Sequence, residues 1–237
     1  MLRYYLSLVF LVLVSSQGLR PFGVQPAAGG PPACTNTATF QEKLGMAQHT
    51  GTSFSAALPN TISATTANTV AVVLLEYDGS GASTPTCTLN SSSMTIAGTP
   101  AHDGTHNLNA AIYTLLNPGT GTATLACTGT SVSEYYYGAF TVNKVSSSTP
   151  IRSGSYITNN ALAITVTTDS QDLAVNGIES SGNISGAPPA PEDFSTAGTY
   201  SAGQALQGTA GTTSDTFTWT GSGTQATVGA SIMCQTN

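Results

Sequence analysis

Apolar residues recur along this chain in short runs, either alternating with polar residues or uninterrupted, and Gly, Pro, Asn and Asp separate the runs. Alternation with a period of two, broken by turn residues, is typical of β-strands. The most apolar run spans residues 69–77 (TVAVVLLEY) and stops at Asp78-Gly79-Ser80-Gly81. Because both faces of this strand are apolar, we expect it to lie in the centre of its sheet.

The other runs extend this pattern along most of the chain and predict an all-β domain. Besides 69–77, the predicted strands cover residues 44–48, 53–58, 86–90, 94–97, 109–116, 122–128, 135–142, 161–167, 173–178, 202–206, 213–220 and 225–234. We find no helical periodicity after the N-terminal segment. About ten strands are too many for one open sheet without curling, so we predict an antiparallel β-sandwich of two packed sheets.

One turn signal stands out among the segments that separate the strands. Residues 117–121 (NPGTG) lie between the predicted strands 109–116 and 122–128. A short loop rich in Gly, Pro and Asn between two apolar runs is typical of a β-hairpin. The sequence therefore predicts that these two strands pair with each other.

The N-terminus has the features of a secretory signal peptide. Arg3 supplies a positive charge, residues 6–14 (LSLVFLVLV) form an apolar stretch, and Val14 and Ser16 fit a cleavage site. The stretch is shorter than the roughly 20 residues that span a bilayer, and an uncleaved anchor is the alternative. We predict a signal-peptide helix over 1–16, a Pro/Gly-rich linker or arm over 17–33, and the β-sandwich domain over 34–237. Such a chain is secreted or displayed on the cell surface.

Four cysteines follow the predicted leader: Cys34, Cys87, Cys127 and Cys234. An even number of cysteines in an exported chain indicates two disulfides, and three pairings are possible. We favour Cys87–Cys127, which joins two strand-like segments, and Cys34–Cys234, which joins the first ordered residues to the last strand. A zinc site is the alternative, but zinc ligands usually include a closely spaced pair such as C-x2-C, which this sequence lacks.

The run from residue 69 to residue 178 carries several motifs together, which are TVAVVLLEYDGSG, SMTIAG, AAIYTLLNPGTGTATLACTG, YYYGAFTV and DLAVNGIES. In this combination it resembles a family of secreted β-sandwich domains of bacterial and phage surface proteins with unassigned function. The NPGTGT segment between an aromatic-bearing strand and an apolar strand is its distinctive element. The resemblance covers a little under half of the chain. It implies a jelly-roll-like sandwich and an exported location, and it transfers no catalytic residue.

Charge is scarce in this chain. Only 7% of the residues are charged and the formal net charge is −6, so the polar surface must come mainly from Thr, Ser, Asn, Gln and Gly. No basic stripe is present, which argues against nucleic acid and against anionic membrane surfaces as partners. We expect no membrane association once the leader is removed, and no cofactor.

Candidate chemistry is sparse as well. His102, Asp103 and His106 form a compact group that could ligate a metal, although Asp-Gly within it equally indicates a polar turn. Asp169 and Asp172 are carboxylates with the spacing of a turn and are weak calcium candidates. No G-x-S-x-G motif occurs, and the few acids that a glycosidase would need have no distinctive spacing.

Two further features bear on binding. Tyr135 and Tyr137 lie on one face of a predicted strand, where exposed rings would offer a weak candidate platform for sugars. Asn90 and Asn183 begin N-x-S sequons and are possible N-glycosylation sites.

The function that these features favour is a secreted structural or adhesive surface protein, such as a subunit of an extracellular filament or coat. The alternative is a carbohydrate- or ligand-binding β-sandwich module, and a hydrolase ranks third. The expected partners are other protein subunits, including further copies of this chain, or surface glycans. The arm over 17–33 could tether the domain or add a strand to an exposed sheet edge of a neighbour.

Overall fold

The structure is a computed structural model that describes residues 34–63, 68–104, 107–158, 163–169, 171–182, 184–185, 192–193, 201–207 and 214–236. The predicted signal peptide and the arm lie outside the described residues. No helix occurs in the described part of the chain, so this part contains no helix that could cross a membrane.

Strands make up most of the described chain. In chain order the first are β1 (Cys34–Asn36), β2 (Thr39–Thr50), β3 (Ser53–Ala57), β4 (Val70–Asp78), β5 (Thr86–Leu89), β6 (Ser92–Ser93), β7 (Thr95–Ile96), β8 (Ala101–Asp103), β9 (Leu108–Leu116), β10 (Thr124–Thr128) and β11 (Glu134–Asn143). They are followed by β12 (Ile151–Thr158), β13 (Ala163–Thr167), β14 (Leu173–Ser180), β15 (Ile184–Ser185), β16 (Glu192–Asp193), β17 (Ser201–Gln207), β18 (Ser214–Thr218), β19 (Thr220–Gly221), β20 (Gln225–Ile232) and β21 (Gln235–Thr236).

These strands pair antiparallel throughout and form three larger sheets. The central sheet has the order β2-β11-β4-β9-β7, and β8 also pairs with β9. The four-stranded sheet has the order β3-β10-β5-β6, and the five-stranded sheet has the order β12-β20-β14-β17-β16. Smaller two-stranded ladders join β13 to β18, β1 to β21 and β15 to β19.

The central sheet is covered on both faces, and β4 shows why. Successive side chains of a strand point to opposite faces. Val72 and Leu74 therefore join a core shared with the five-stranded sheet, whereas Val73 and Leu75 join a core shared with the four-stranded sheet. Each fully buried aliphatic side chain stabilises the fold by about 1.5–3 kcal/mol. This double burial confirms the prediction that the most apolar strand is central.

A further layer covers the five-stranded sheet on its other face. Ile164 and Val166 of β13 and Phe217 of β18 pack against Ala174 of β14 in a small apolar cluster. The predicted fold class, an all-β antiparallel sandwich, is confirmed. The sandwich contains more layers than the two expected, since the four-stranded, central and five-stranded sheets and the β13–β18 ladder are stacked in that order.

The predicted hairpin over 109–128 is wrong. Strand β9 pairs with β4 on one side and with β7 and β8 on the other, whereas β10 pairs with β3 and β5 in the four-stranded sheet. Positive φ angles at Asn117 (51°), Gly119 (77°) and Gly121 (96°) turn the chain out of the central sheet. The turn residues therefore build a corner between two sheets, because earlier strands already occupy both sides of β9.

Both favoured disulfides are present. Cys87 and Cys127 lie opposite each other in the β5–β10 ladder with their Cα atoms 4.2 Å apart. Cys34 and Cys234 join the start of the described chain to its end with their Cα atoms 5.8 Å apart. In the chain-entropy view, loops of these lengths stabilise the fold by about 3–5 kcal/mol per bridge.

Candidate functional site

Tyr135 and Tyr137 are core residues, with exposed fractions of 0% and 4%. Their face of β11 is covered by the four-stranded sheet, where the ring of Phe54 lies 5.1 Å from Tyr135 and 5.7 Å from Tyr137. The Tyr135 hydroxyl donates to the Thr52 carbonyl at 2.8 Å. The prediction of an exposed tyrosine platform is therefore wrong for these two rings, because both faces of the central sheet are covered.

The histidine group gains no support as a metal site from the residues that are described. His106 lies outside them. His102 is exposed and Asp103 is buried, and as neighbours on β8 they point to opposite faces. A nitrogen of His102 instead hydrogen-bonds Asn109 of β9.

Asp169 and Asp172 hold a structural ion pair with Arg152. The Nε of Arg152 lies 2.5 Å from Asp172 and its Nη2 lies 3.6 Å from Asp169. Asp172 also lies near the sulfurs of Cys34 and Cys234, but a disulfide offers no thiolate to a metal. The guanidinium therefore occupies the place that a cation would take.

Of the two predicted N-glycosylation sites, the structure describes Asn90. Asn90 is exposed at the turn between β5 and β6, and its carboxamide oxygen accepts a hydrogen bond from the Thr124 amide at 2.8 Å. Asn183 lies outside the described residues.

A concave polar site of about 240 Å³ lies between the central and five-stranded sheets, and we call it the acidic cavity. Its lining consists of Asp78, Leu108, Glu134, Tyr136, Glu179, Ser180 and Ser181. It lies where β4 ends and β11 begins, so side chains from β4, β9, β11 and β14 meet at one end of the sandwich.

Strand alternation and register bring these acids together. On β4, Glu76 and Asp78 follow Val72 and Leu74 on the face toward the five-stranded sheet. On β11, Glu134 lies opposite Asp78 and Tyr136 lies opposite Glu76. Glu179 of β14 approaches this face from the five-stranded sheet.

Glu179 links the two sheets. Its Oε2 accepts a hydrogen bond from the Asn109 amide of β9 at 2.9 Å, and the residue is 2% exposed. Burial raises the pKa of Glu179 to about 8, the Asn109 amide lowers it, and the charges of Asp78 and Glu134 raise it further. At neutral pH this side chain is therefore mostly a carboxylic acid, which can donate a hydrogen bond or a proton.

Glu76 is the innermost acid of the group. It is 3% exposed, and its Oε1 has no hydrogen-bond partner. A Cβ atom at Gly177 of β14 would come 2.9 Å from this oxygen, so the glycine leaves the space that Glu76 fills. Burial raises the pKa of Glu76 well above its ordinary value, and the charge of Glu179 raises it further.

The mouth of the cavity is polar. Gln48 of β2 donates to the Tyr136 hydroxyl at 2.9 Å and also to Glu134. Burial, followed by the charge of Glu134, raises the pKa of Tyr136 to about 12. Within the described residues, neither Lys nor Arg contacts the carboxylates of Glu76, Asp78, Glu134 or Glu179.

The sequence alone does not group these acids, because strands far apart in the chain bring them together. One signal could have singled out Glu76. It sits in an otherwise apolar strand on the face of Val72 and Leu74, where a charged residue is rarely buried without a partner.

A second concave feature, which we call the edge groove, has a volume of about 560 Å³. It is lined by residues 95–98, 114–116 and 148–151. Strand β7 pairs with β9 only at Tyr113 and Thr114. In the described chain, Leu115 and Leu116 therefore pair with β4 alone and border the groove on their other side.

Neither a family model nor a curated protein matches the chain, and no solved structure matches it. The resemblance to secreted β-sandwich domains therefore remains a prediction.

Proposed function

We propose that the protein is a secreted structural or adhesive surface protein. In this proposal, copies assemble into an extracellular filament or coat when the arm over 17–33 of one copy reaches the next copy and its residues 22–25 dock in the edge groove there. The observation that carries the proposal is the open strand edge of β9 beside an apolar groove.

The backbone geometry of β9 supports strand addition at this edge. The Ala97 amide donates to the Ile112 carbonyl at 2.8 Å, so the backbone groups of Ile112 point toward the groove side. By alternation, those of Leu116 point to the same side. Unpaired N–H and C=O groups on a strand edge are a template for another strand.

The surroundings of this edge favour an apolar segment. Ile96, Ala97, Pro150 and Ile151 line the groove beside Leu116. In the arm, residues 22–25 (FGVQ) form a proline-free stretch between Pro21 and Pro26, and Phe22 and Val24 share one face if this stretch is extended. Main-chain hydrogen bonds to the edge of β9 would supply the affinity, and the contacts of Phe22 and Val24 with the groove would supply the specificity.

The start of the described chain lies near the groove. Cys34 is bonded to Cys234, and the neighbouring Met233 amide donates to the Pro150 carbonyl at 2.7 Å. An extended chain advances about 3.3 Å per residue, so residues 22–25 can reach roughly 30 Å from Cys34. We expect Pro31 and Pro32 to disfavour a tight reversal just before Cys34, which favours the groove of a second copy.

The two disulfides are compatible with an extracellular location, because such bridges persist in oxidising compartments. The predicted signal peptide and the low charge of the chain support the same proposal. A coat or filament protein needs a stable body and a connecting segment, and the layered sandwich with its arm offers both.

The test uses protein without residues 1–16 in size-exclusion chromatography with light scattering. We expect the mass of the wild-type protein to rise with concentration. A Phe22→Glu/Val24→Glu variant should stay monomeric, because charged side chains resist burial in the groove. An Ala27→Glu/Ala28→Glu variant adds the same charge outside this stretch and should assemble. A wild-type protein that is monomeric at all concentrations would contradict the proposal, as would a Phe22/Val24 variant that assembles normally.

A ligand-binding module is the second candidate function, and the acidic cavity favours it. Tyr136, Ser180 and Ser181 lie beside the protonated Glu179, so the cavity presents donors and acceptors of the kind that recognise sugar hydroxyls. A glycan array tests this function. A signal from the wild-type protein that disappears in Tyr136→Ala would support it, and an array without signal would count against it.

A further inference from the structure

Strand β3 forms an open edge of the four-stranded sheet. Among the described residues it pairs with β10 alone, along its whole length Ser53–Ala57. Every second residue of the strand is exposed, and so are residues 50–52 before it and 59–61 after it. Within the described chain, the side of β3 away from β10 therefore faces solvent.

The hydrogen-bond pattern of β3 shows which backbone groups lie at this edge. The amide of Leu58, which follows the strand, donates to the Ala123 carbonyl next to β10 at 2.8 Å. In an antiparallel ladder the backbone groups of successive residues point to opposite sides of the strand. The N–H and C=O groups of Ser53, Ser55 and Ala57 therefore point to the open edge, where they form a template for another strand.

The other strands at the ends of the three larger sheets differ from β3. Strands β6, β7, β8 and β16 have two or three residues each, and such short edges offer little backbone to a partner. Strand β2 carries Glu42 and Lys43, and β12 carries Arg152. Charged residues on an edge strand disfavour pairing with a further strand. Residues 50–58, which include β3, contain neither a charged residue nor a proline.

We propose that β3 pairs antiparallel with β3 of a second copy of this chain, about a twofold axis at Ser55. An antiparallel edge is self-complementary under such a rotation. Ser55 then lies opposite Ser55 of the other copy, and Ser53 of each copy lies opposite Ala57 of the other. The outward N–H and C=O groups of all three residues thereby gain hydrogen-bond partners. The two four-stranded sheets become one continuous sheet across the pair.

The side chains of β3 fit this partner. The same register places Phe54 beside Ala56 of the other copy on the core-facing side. Phe54 is half-buried and packs against Tyr135 and Tyr137, so a second copy covers the part of its ring that remains exposed. Each copy carries a net charge of −6, and identical copies therefore repel each other. An uncharged edge is a place where two copies can meet without opposing like charges.

This inference rests on the proposed arm docking, because a pair of five-residue strands is small beside the roughly 1,200–2,000 Å² that stable interfaces bury. Two free copies in dilute solution should therefore stay apart. Copies linked by their arms present many β3 edges at a high local concentration, so weak pairings add up. The edge groove and β3 share no residue, so one copy can use both. Arm docking forms a chain of copies, and β3 pairing joins two chains side by side.

A cysteine at position 55 tests this register in the protein without residues 1–16. Across the proposed axis the two Cα atoms at this position lie about 5.5 Å apart, which a disulfide can span. We expect Ser55→Cys, oxidised with copper phenanthroline under assembly conditions, to form a covalent dimer on a non-reducing gel. Ser93→Cys is the matched control, because Ser93 is exposed on β6 at the opposite edge of the same sheet. It should form no such dimer.

A charge at the same position tests the effect on assembly. Ser55→Lys places two like charges opposite each other, which destabilises the pairing. In negative-stain images the wild type and Ser93→Lys should form particles two copies wide, whereas Ser55→Lys should form particles of similar length and one copy wide. Ser55 is exposed, so we expect Ser55→Lys to keep the urea midpoint of the wild type.

Two results would overturn the inference and leave arm docking intact. One is assembled Ser55→Cys protein that forms no covalent dimer, and the other is Ser55→Lys particles as wide as those of the wild type. A wild-type protein that stays monomeric at all concentrations would instead overturn arm docking, and the β3 inference with it.

Discussion

Asp172 accepts a hydrogen bond from the Nε of Arg152 at 2.5 Å, and the Asp172 side chain is fully buried. The same carboxylate accepts from the Ser231 hydroxyl at 2.8 Å and from the Cys234 amide at 3.0 Å. Asp172 therefore connects β12, β20 and the segment that holds the Cys34–Cys234 bridge. In the sequence Asp172 belongs to a predicted turn, and in the structure it is the centre of a buried hydrogen-bond network.

We expect Asp172→Asn to lower the free energy of unfolding by about 3–5 kcal/mol, because it leaves Arg152 without its buried counter-charge. Urea unfolding followed by circular dichroism measures this change. Asp215→Asn serves as the control, since within the described residues the Asp215 carboxylate accepts a single side-chain hydrogen bond, from the Thr168 hydroxyl at 3.2 Å. A loss below about 1 kcal/mol in the Asp172 variant would show that the network contributes little.

The single tryptophan reports on a second buried network. Trp219 donates from Nε1 to Asn176 at 2.6 Å, and Asn176 donates to the Val228 carbonyl at 2.7 Å. Asn176→Ala removes the acceptor of the buried Trp219 indole and a donor to the Val228 carbonyl, so we expect a loss of about 2–5 kcal/mol in unfolding free energy.

Tryptophan fluorescence during urea unfolding measures this loss directly at Trp219. Thr165→Ala is the matched control, because the Thr165 hydroxyl bonds only the Thr216 hydroxyl on an exposed face. We expect the control to lie within about 0.5 kcal/mol of the wild type. An Asn176 variant as stable as this control would contradict the predicted role of the amide.

The buried acids Glu76 and Glu179 predict an unusual pH dependence of stability. The pKa of Glu179 is about 8 in the folded protein and returns to its ordinary, lower value on unfolding. Between those two values the folded state holds a proton that the unfolded state has lost, so stability falls as pH rises. Glu179 alone should lower the free energy of unfolding between pH 5 and pH 8 by up to about 1.4 kcal/mol per pH unit, and Glu76, whose pKa is also raised, adds to this slope.

Urea midpoints at four pH values between 5 and 8 test this slope. Glu179→Gln should flatten the profile, because a neutral amide does not titrate, and the remaining slope then reports on Glu76. Glu42→Gln is the control, because it is the same substitution at an acid that lies outside the cavity. A wild-type midpoint that rises with pH would contradict the predicted burial of the two acids.

The sequence predicts local properties of this fold well. The continuous apolar run of β4 indicated a strand buried on both faces, and the structure places it in the middle of the central sheet. The strands that pair with β9 could not be predicted from its own sequence. Turn residues at 117–121 determine that the chain bends, whereas the choice of sheet depends on which long-range edges are already occupied.

The candidate site shows the same division. Alternation correctly placed Tyr135 and Tyr137 on one face of β11 and Tyr136 on the other. Alternation could not show that the four-stranded sheet covers Tyr135 and Tyr137, or that Tyr136 lines the acidic cavity. Glu76 and Glu179 lie on strands of different sheets, so only the packing of those sheets reveals that they meet.

We propose assembly through the arm, and negative-stain electron microscopy of the protein without residues 1–16 tests this proposal most directly. We predict elongated or sheet-like particles that grow with concentration and are absent in Phe22→Glu/Val24→Glu. Fields that contain only single compact particles at every concentration would contradict the claim.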